Sequence, residues 1–151
     1  MRSTISPVFV DTNIPIYAGG AEHDLRAPCI EVMQLIARHK ASFVTDAEVL
    51  QEIAHRYVAL RRWASGRVVF DGFATLMAGQ TAAMLRRDVL SAAATIDTSP
   101  RLSARDLVHL AVMRRLGVTR IISADRGFDR VPEVERLDPA RLEEWRASVT
   151  A

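Results

Sequence analysis

Cysteine occurs once in this chain, at Cys29, and lysine once, at Lys40. A single thiol excludes an internal disulfide framework and a multi-cysteine zinc site and suits a reducing compartment, which leaves Cys29 a packing role in a helix. No apolar run approaches the ~18 residues needed to span a bilayer. The opening MRSTISPVFV lacks a full apolar signal core ahead of a small-residue cleavage site, so a soluble, cytoplasmic protein with no membrane partner is expected. There is no G-x-x-x-x-G-K-[ST] loop, no G-x-G-x-x-G and no G-x-S-x-G. Nucleotide-triphosphate hydrolysis, dinucleotide redox chemistry and serine hydrolysis all lose their signatures. With no repeats, linkers or low-complexity stretches either, residues 1–151 read as one domain.

What is present is 49% hydrophobic and 25% charged, enough for a chain of 151 residues to bury a substantial core. The formal charge is +2, with 20 basic residues of which all but Lys40 are arginine. Guanidinium forks suit phosphate, but the same bias can follow from a host's base composition, so it adds only modest weight to nucleic-acid binding. The pairs Arg61-Arg62, Arg86-Arg87 and Arg114-Arg115, with Arg126 and Arg130, are candidate phosphate guides or ordinary solvated helix faces. Trp63 and Trp145 could stack on bases or bury at a dimer seam.

Strands alternate with helices along the chain. PVFVD is a buried first strand, TNIPIYAGG a helical turn ended by glycines, 24–38 a helix with periodic apolar residues, and ASFVT a second strand. A long amphipathic helix is expected from Asp46 to Ala64, stopping at Ser65-Gly66. Further helices are expected over 68–78 and 88–96, with a brief strand near 82–85 between them. Ser103–Leu116 is a helix stopped by Gly117, VTRIIS a strand, 134–137 a final strand and 139–148 a terminal helix. This alternation argues for an α/β fold with a parallel sheet, whose ligands gather beyond the carboxyl ends of the strands.

Acids fall at such ends: Asp11 after PVFV, Glu52 in VLQEI, Asp106 in LSARDLVHLA and Asp125 after RIISA. Carboxylates that meet in a fold repel one another, by about 4 kcal/mol per pair at ~4 Å and an effective dielectric near 20, and a divalent cation relieves the cost. Two of these acids also have a plainer reading. Asp11 or Thr12 could cap the next turn, and Asp106 forms a capping box with Ser103. Glu48 and Glu52 share a helix face, and Thr45-x-x-Glu48 has capping-box spacing, which makes Glu52 the better ligand. Asp129 reads as a solvated residue that could touch a metal. His55 and His109 follow Glu52 and Asp106 by three residues and are expected as satisfied, partly buried histidines, because an oxygen-rich site favours magnesium or manganese.

The order D-T-N, V-L-Q-E, L-S-A-R-D-L-V-H-L-A and I-I-S-A-D-R-G-F-D resembles that of PIN-domain ribonucleases, and in size the chain is similar to VapC toxins of toxin–antitoxin pairs. The resemblance runs from Val8 to Leu137 and departs from the family pattern at the second acid, where Thr45 is followed by Asp46 and two glutamates compete. It implies a three-layer α/β/α sandwich around a central, mainly parallel sheet of four to five strands. It also implies Mg2+ or Mn2+, RNA as substrate, a homodimer, and inhibition by a cognate antitoxin. By position, the metal-binding and catalytic acids are Asp11, Glu52, Asp106 and Asp125, with Asn13 and Ser123 as polar neighbours and Glu48 as an assistant or replacement for Glu52. Asp11 and Asp106 are then the shared ligands, while Glu52 or Asp125 binds through water. The alternative is a PIN fold that binds nucleic acid or a partner without turnover; an exonuclease or a DNA-directed nuclease is compatible with the same residues.

Overall fold

The computed structural model describes residues 6–150. Residues 1–5, part of the stretch on which the expected absence of a leader rests, lie outside them, as does Ala151. The elements run β1 (Val8–Val10), α1 (Asn13–Gly19), α2 (Arg26–Arg38), β2 (Phe43–Asp46), α3 (Ala47–Ala59), α4 (Trp63–Leu76) and β3 (Thr81–Ala82). After these come α5 (Arg86–Ala94), α6 (Ala104–Leu116), β4 (Arg120–Ile122), β5 (Glu135–Leu137) and α7 (Leu142–Thr150).

All five strands are parallel, in the order β3-β2-β1-β4-β5. β1 lies in the middle, with Phe9 in register with Val44 on one side and Ile121 on the other. Its three residues are fully buried, which is why they read as an unbroken apolar run rather than an alternating one. Right-handed crossovers place α1 to α4 on one face, and the return from β3 to β4 carries α5 and α6 to the other. The strand order therefore reverses between β1 and β4, the place at the carboxyl edge where such sheets open a crevice. No described helix is long and apolar enough to cross a membrane.

The middle of the chain departs from the expected helices. Instead of one helix reaching Ser65-Gly66, α3 ends at Ala59, Arg61 takes a positive φ of 55°, and α4 runs from Trp63 straight through both residues. Gly66 is not a stop. A Cβ there would lie 2.2 Å from Cγ of Tyr57, so the missing side chain is what lets α4 close against α3. The brief strand shrinks to Thr81–Ala82, and α5 begins and ends two residues early. The first turn of the terminal helix is a separate 3-10 turn, Pro139–Arg141, capped by Asp138.

Trp145 is buried, its indole N–H donating to the Asp138 carbonyl at 2.8 Å, while Trp63 packs edge-on against Phe70. Of the arginine pairs, Arg114 is held by Glu133 and Arg115 by Asp88. Cys29 packs in the core, where burial pushes its thiol up to about 12.

Candidate active site

Asp11 leaves β1 at the carboxyl edge, next to the end of β4, and its backbone N–H donates to the Ile122 carbonyl. One carboxylate oxygen accepts from the Thr12 N–H at 2.7 Å; the other accepts from the Ser123 hydroxyl at 2.6 Å and the Asn13 amide at 3.2 Å. Asn13 also donates to Ser123 and accepts from the Ala124 N–H, so the start of α1 and the end of β4 are tied through the two residues that hold Asp11. With 4% of its surface exposed, Asp11 is pushed up to about 6, by burial first and then by the nearby Asp106, against the pull of His109 and Ser123.

Asp106 is the third residue of α6 and completes the expected capping box, each partner accepting from the other's backbone N–H. Burial raises its carboxyl, and Asp125 adds to the rise. Asp125 stands exposed past β4, one oxygen accepting from the Gly127 N–H and its own N–H donating to Ser123. Asp11 therefore feels Asp106, and Asp106 feels Asp125: acids from three separate segments face one crevice.

The second acid resolves differently from the capping-box reading of Thr45 and Glu48. Asp46, not Thr45, caps α3, accepting from the Val49 N–H at 2.9 Å. Thr45 stays in β2, its hydroxyl donating to the Val10 carbonyl. Glu48 is thereby released from the cap and stays largely buried, one oxygen 3.5 Å from Arg105, whose other arm reaches Glu52 at 3.9 Å. Burial raises the Glu48 carboxyl. Glu52 is also raised by burial, but His109 and a 2.7 Å bond from the Thr12 hydroxyl outweigh this and hold it low. Asp129 turns away from the acids into a two-pronged pair with Arg136, which also donates to the Ser123 carbonyl.

His109 was expected to be satisfied, and only one of its nitrogens is. Nδ1 lies 2.8 Å from an oxygen of Asp46, whereas Nε2 is buried without a hydrogen-bond partner, 3.7 Å from Glu52 and 4.0 Å from Asp11. Burial disfavours the imidazolium, but Asp46 and the other two acids outweigh it and push His109 up to about 10. The fold thus favours the imidazolium, a positive charge beside the carboxylates that offsets part of their repulsion. His55, by contrast, is exposed.

Asp46, Thr12 and Arg105 are the residues that sequence reasoning missed. Asp46 did carry a signal: like Asp11 it ends an apolar strand, FVT. The arrangement can hold a hard cation. Its donors are carboxylate oxygens and a buried, polar wall, and Mg2+ keeps several waters while taking one or two carboxylates. Among the described residues, however, no group of three or more His, Cys, Asp or Glu side chains is placed so as to hold a metal ion.

Fold and crevice together define a parallel α/β/α domain with an acidic site at the point where the strand order reverses. The chain belongs to the PIN-domain family, whose model matches residues 8–134. It is 39% identical over 130 residues to VapC ribonuclease Mb1869c of Mycobacterium bovis, covering 86% of this chain and 98% of that one. It is 38% identical over 120 residues to ribonuclease VapC23 of Mycobacterium tuberculosis, covering 78% and 92%. Among solved structures, FitAcB from Neisseria gonorrhoeae superposes with a TM-score of 0.66 at 14% identity, over 89% of this chain and 99% of that one. VapBC2 from Rickettsia felis, bound to a DNA fragment from its promoter, gives 0.64 at 14% identity over 87% and 98%.

Proposed function

We propose that this protein is a Mg2+- or Mn2+-dependent endoribonuclease, the toxin of a VapBC-type toxin–antitoxin pair. What supports the reading is that Asp106 lies near enough to raise the Asp11 carboxyl and Asp125 near enough to raise Asp106, while Glu52 accepts from the Thr12 hydroxyl beside Asp11. A surface built only to bind phosphate has no reason to collect negative charge. The relatives named as ribonucleases support the same chemistry.

Asp11, Asp106, Asp125 and Glu52 would hold the cation, with Glu48 in reserve beside Arg105. An ion held there would supply an activated water and charge neutralisation at the phosphodiester. The chain's own residues prepare the site for it. Ser123, Asn13 and the Thr12 N–H fix the Asp11 carboxylate in one rotamer, and the Thr12 hydroxyl aims Glu52. Burial of Asp11 strengthens any interaction with a cation by lowering the local dielectric.

A cognate antitoxin and a homodimer complete the proposal, in the cytoplasm where RNA is at hand. The structural neighbours include a VapBC assembly, and exposed Leu85, Val89 and Leu90 supply apolar surface that a second copy would cover. Light scattering of the purified chain tests the dimer.

The deciding experiment is cleavage of RNA with and without Mg2+ or Mn2+, by the parent and by Asp11→Asn. We expect metal-dependent internal cleavage by the parent and a loss of at least ~100-fold in the variant, since the site loses its central anionic ligand. Undiminished cleavage by Asp11→Asn would remove the acids from the mechanism.

A further inference from the structure

A cavity of about 400 Å3 opens beside α1 and α3. Its position follows from the helices that carry the acid site. Asn13 and Glu52 face the acids, and the residues four further along each helix, Tyr17 and Arg56, line the cavity. Residues four apart share a helix face and lie roughly 6 Å apart along the axis. Tyr17 and Arg56 therefore lie about one helical turn from Asn13 and Glu52.

The chemistry of the cavity is the reverse of the acid site's. Tyr17 and His23 form a stack, ring centroids 4.5 Å apart and planes 27° from parallel. His23 is exposed, and its Nδ1 accepts from the Leu25 N–H, which fixes the ring. Two exposed guanidinium groups, Arg56 and Arg62, stand on the same wall. The one acid there, Glu22, faces Arg26 at 3.4 Å.

We propose that this cavity binds a nucleotide adjoining the one at the acid site. Its base extends the Tyr17–His23 stack and its phosphate lies on Arg56 and Arg62. Every base has a π-face, so such a platform is tolerant of sequence, and arginine forks match phosphate oxygens. A base can enter only when it is unpaired, so the strand is single-stranded at this step. The direction of the strand, out of the acid site and into the cavity, rests on the nuclease reading above.

The test compares two probes by fluorescence anisotropy in EDTA: a short labelled single-stranded RNA and an abasic oligomer of the same length. The parent is expected to prefer the RNA about tenfold, the size of one base–aromatic stack. His23→Ala removes that preference and His23→Phe, which keeps a flat ring, retains it. Arg56→Ala combined with Arg62→Ala weakens both probes alike and flattens the salt dependence. Equal binding of the two probes by the parent, or an unchanged preference in His23→Ala, overturns the assignment; equal binding would leave the cavity to a peptide. Cleavage in Mg2+ is measured in parallel. A parent that cleaves while His23→Ala keeps its preference loses the subsite and keeps the nuclease; one that binds with the expected pattern but never cleaves keeps the subsite and loses the nuclease.

Discussion

Asp11 and His109 pose one electrostatic problem from two sides. Both carry pKa values raised by the fold, Asp11 from 3.8 to about 6 and His109 from 6.5 to about 10. For a group raised on folding, the stabilising contribution is complete below the unfolded value and disappears as pH climbs through the folded one. In EDTA, the contribution of Asp11 therefore fades between about pH 4 and 6, and that of His109 between 6.5 and about 10. Glu52, Asp88 and Glu133, held low, act in the opposite sense and matter only in acid. The metal-free protein should melt at progressively lower temperature from pH 6.5 to 10; a flat or rising profile would contradict the imidazolium assignment. At pH 7.5 without metal, Asp11→Asn should melt no lower than the parent, because it removes a carboxylate that burial disfavours. Asp46→Ala should be costly, since it removes the α3 cap and strips His109 of its bonded partner. We expect a loss of about 3–5 kcal/mol in urea melts, the range for breaking a buried pair, with Asp46→Asn milder because its side-chain oxygen can still cap.

At the level of elements, α3 and α4 show why a glycine is a poor guide to a helix end. Ser65-Gly66 has the composition of a stop, yet the true break lies at Leu60–Arg62 and Gly66 is a contact point inside α4. Gly66→Ala should cost about 1–3 kcal/mol through overpacking against Tyr57, measurable by chemical denaturation. An alanine that instead stabilised the protein, as helix propensity alone would have it, would show that the two helices are not pressed together. Gly117 is the contrasting case. It sits past the last turn of α6 with φ of 70°, in the left-handed cap that its position after the apolar run suggested. The capping boxes divide in the same way: Ser103 with Asp106 forms as its spacing implies, while Thr45 with Glu48 gives way to Asp46, because Thr45 is still paired within the sheet.

For the whole molecule, the proposed cation site has a direct consequence: an ion that binds the folded crevice and not the unfolded chain would stabilise the fold. Saturation at a hundredfold excess over Kd is worth about 2.7 kcal/mol, so Mg2+ or Mn2+ should raise the melting temperature of the parent and leave that of Asp11→Asn nearly unmoved. An equal rise in both would place the ion elsewhere. A mainly parallel sheet of four to five strands, most of its flanking helices and the position of Asp11 and Asp125 after strands were legible in the sequence, because a buried strand is an apolar run of limited length and a helix repeats its apolar residues at a fixed interval. What tertiary structure alone decided was pairing across long gaps. Asp46 meets His109 across 63 positions, Thr12 meets Glu52 across 40, and Ser123 meets Asp11 across 112. Local periodicity reports which face of an element is apolar; it holds no information about which distant side chain will stand opposite, because that is set by how strands order in the sheet and how closely helices can approach.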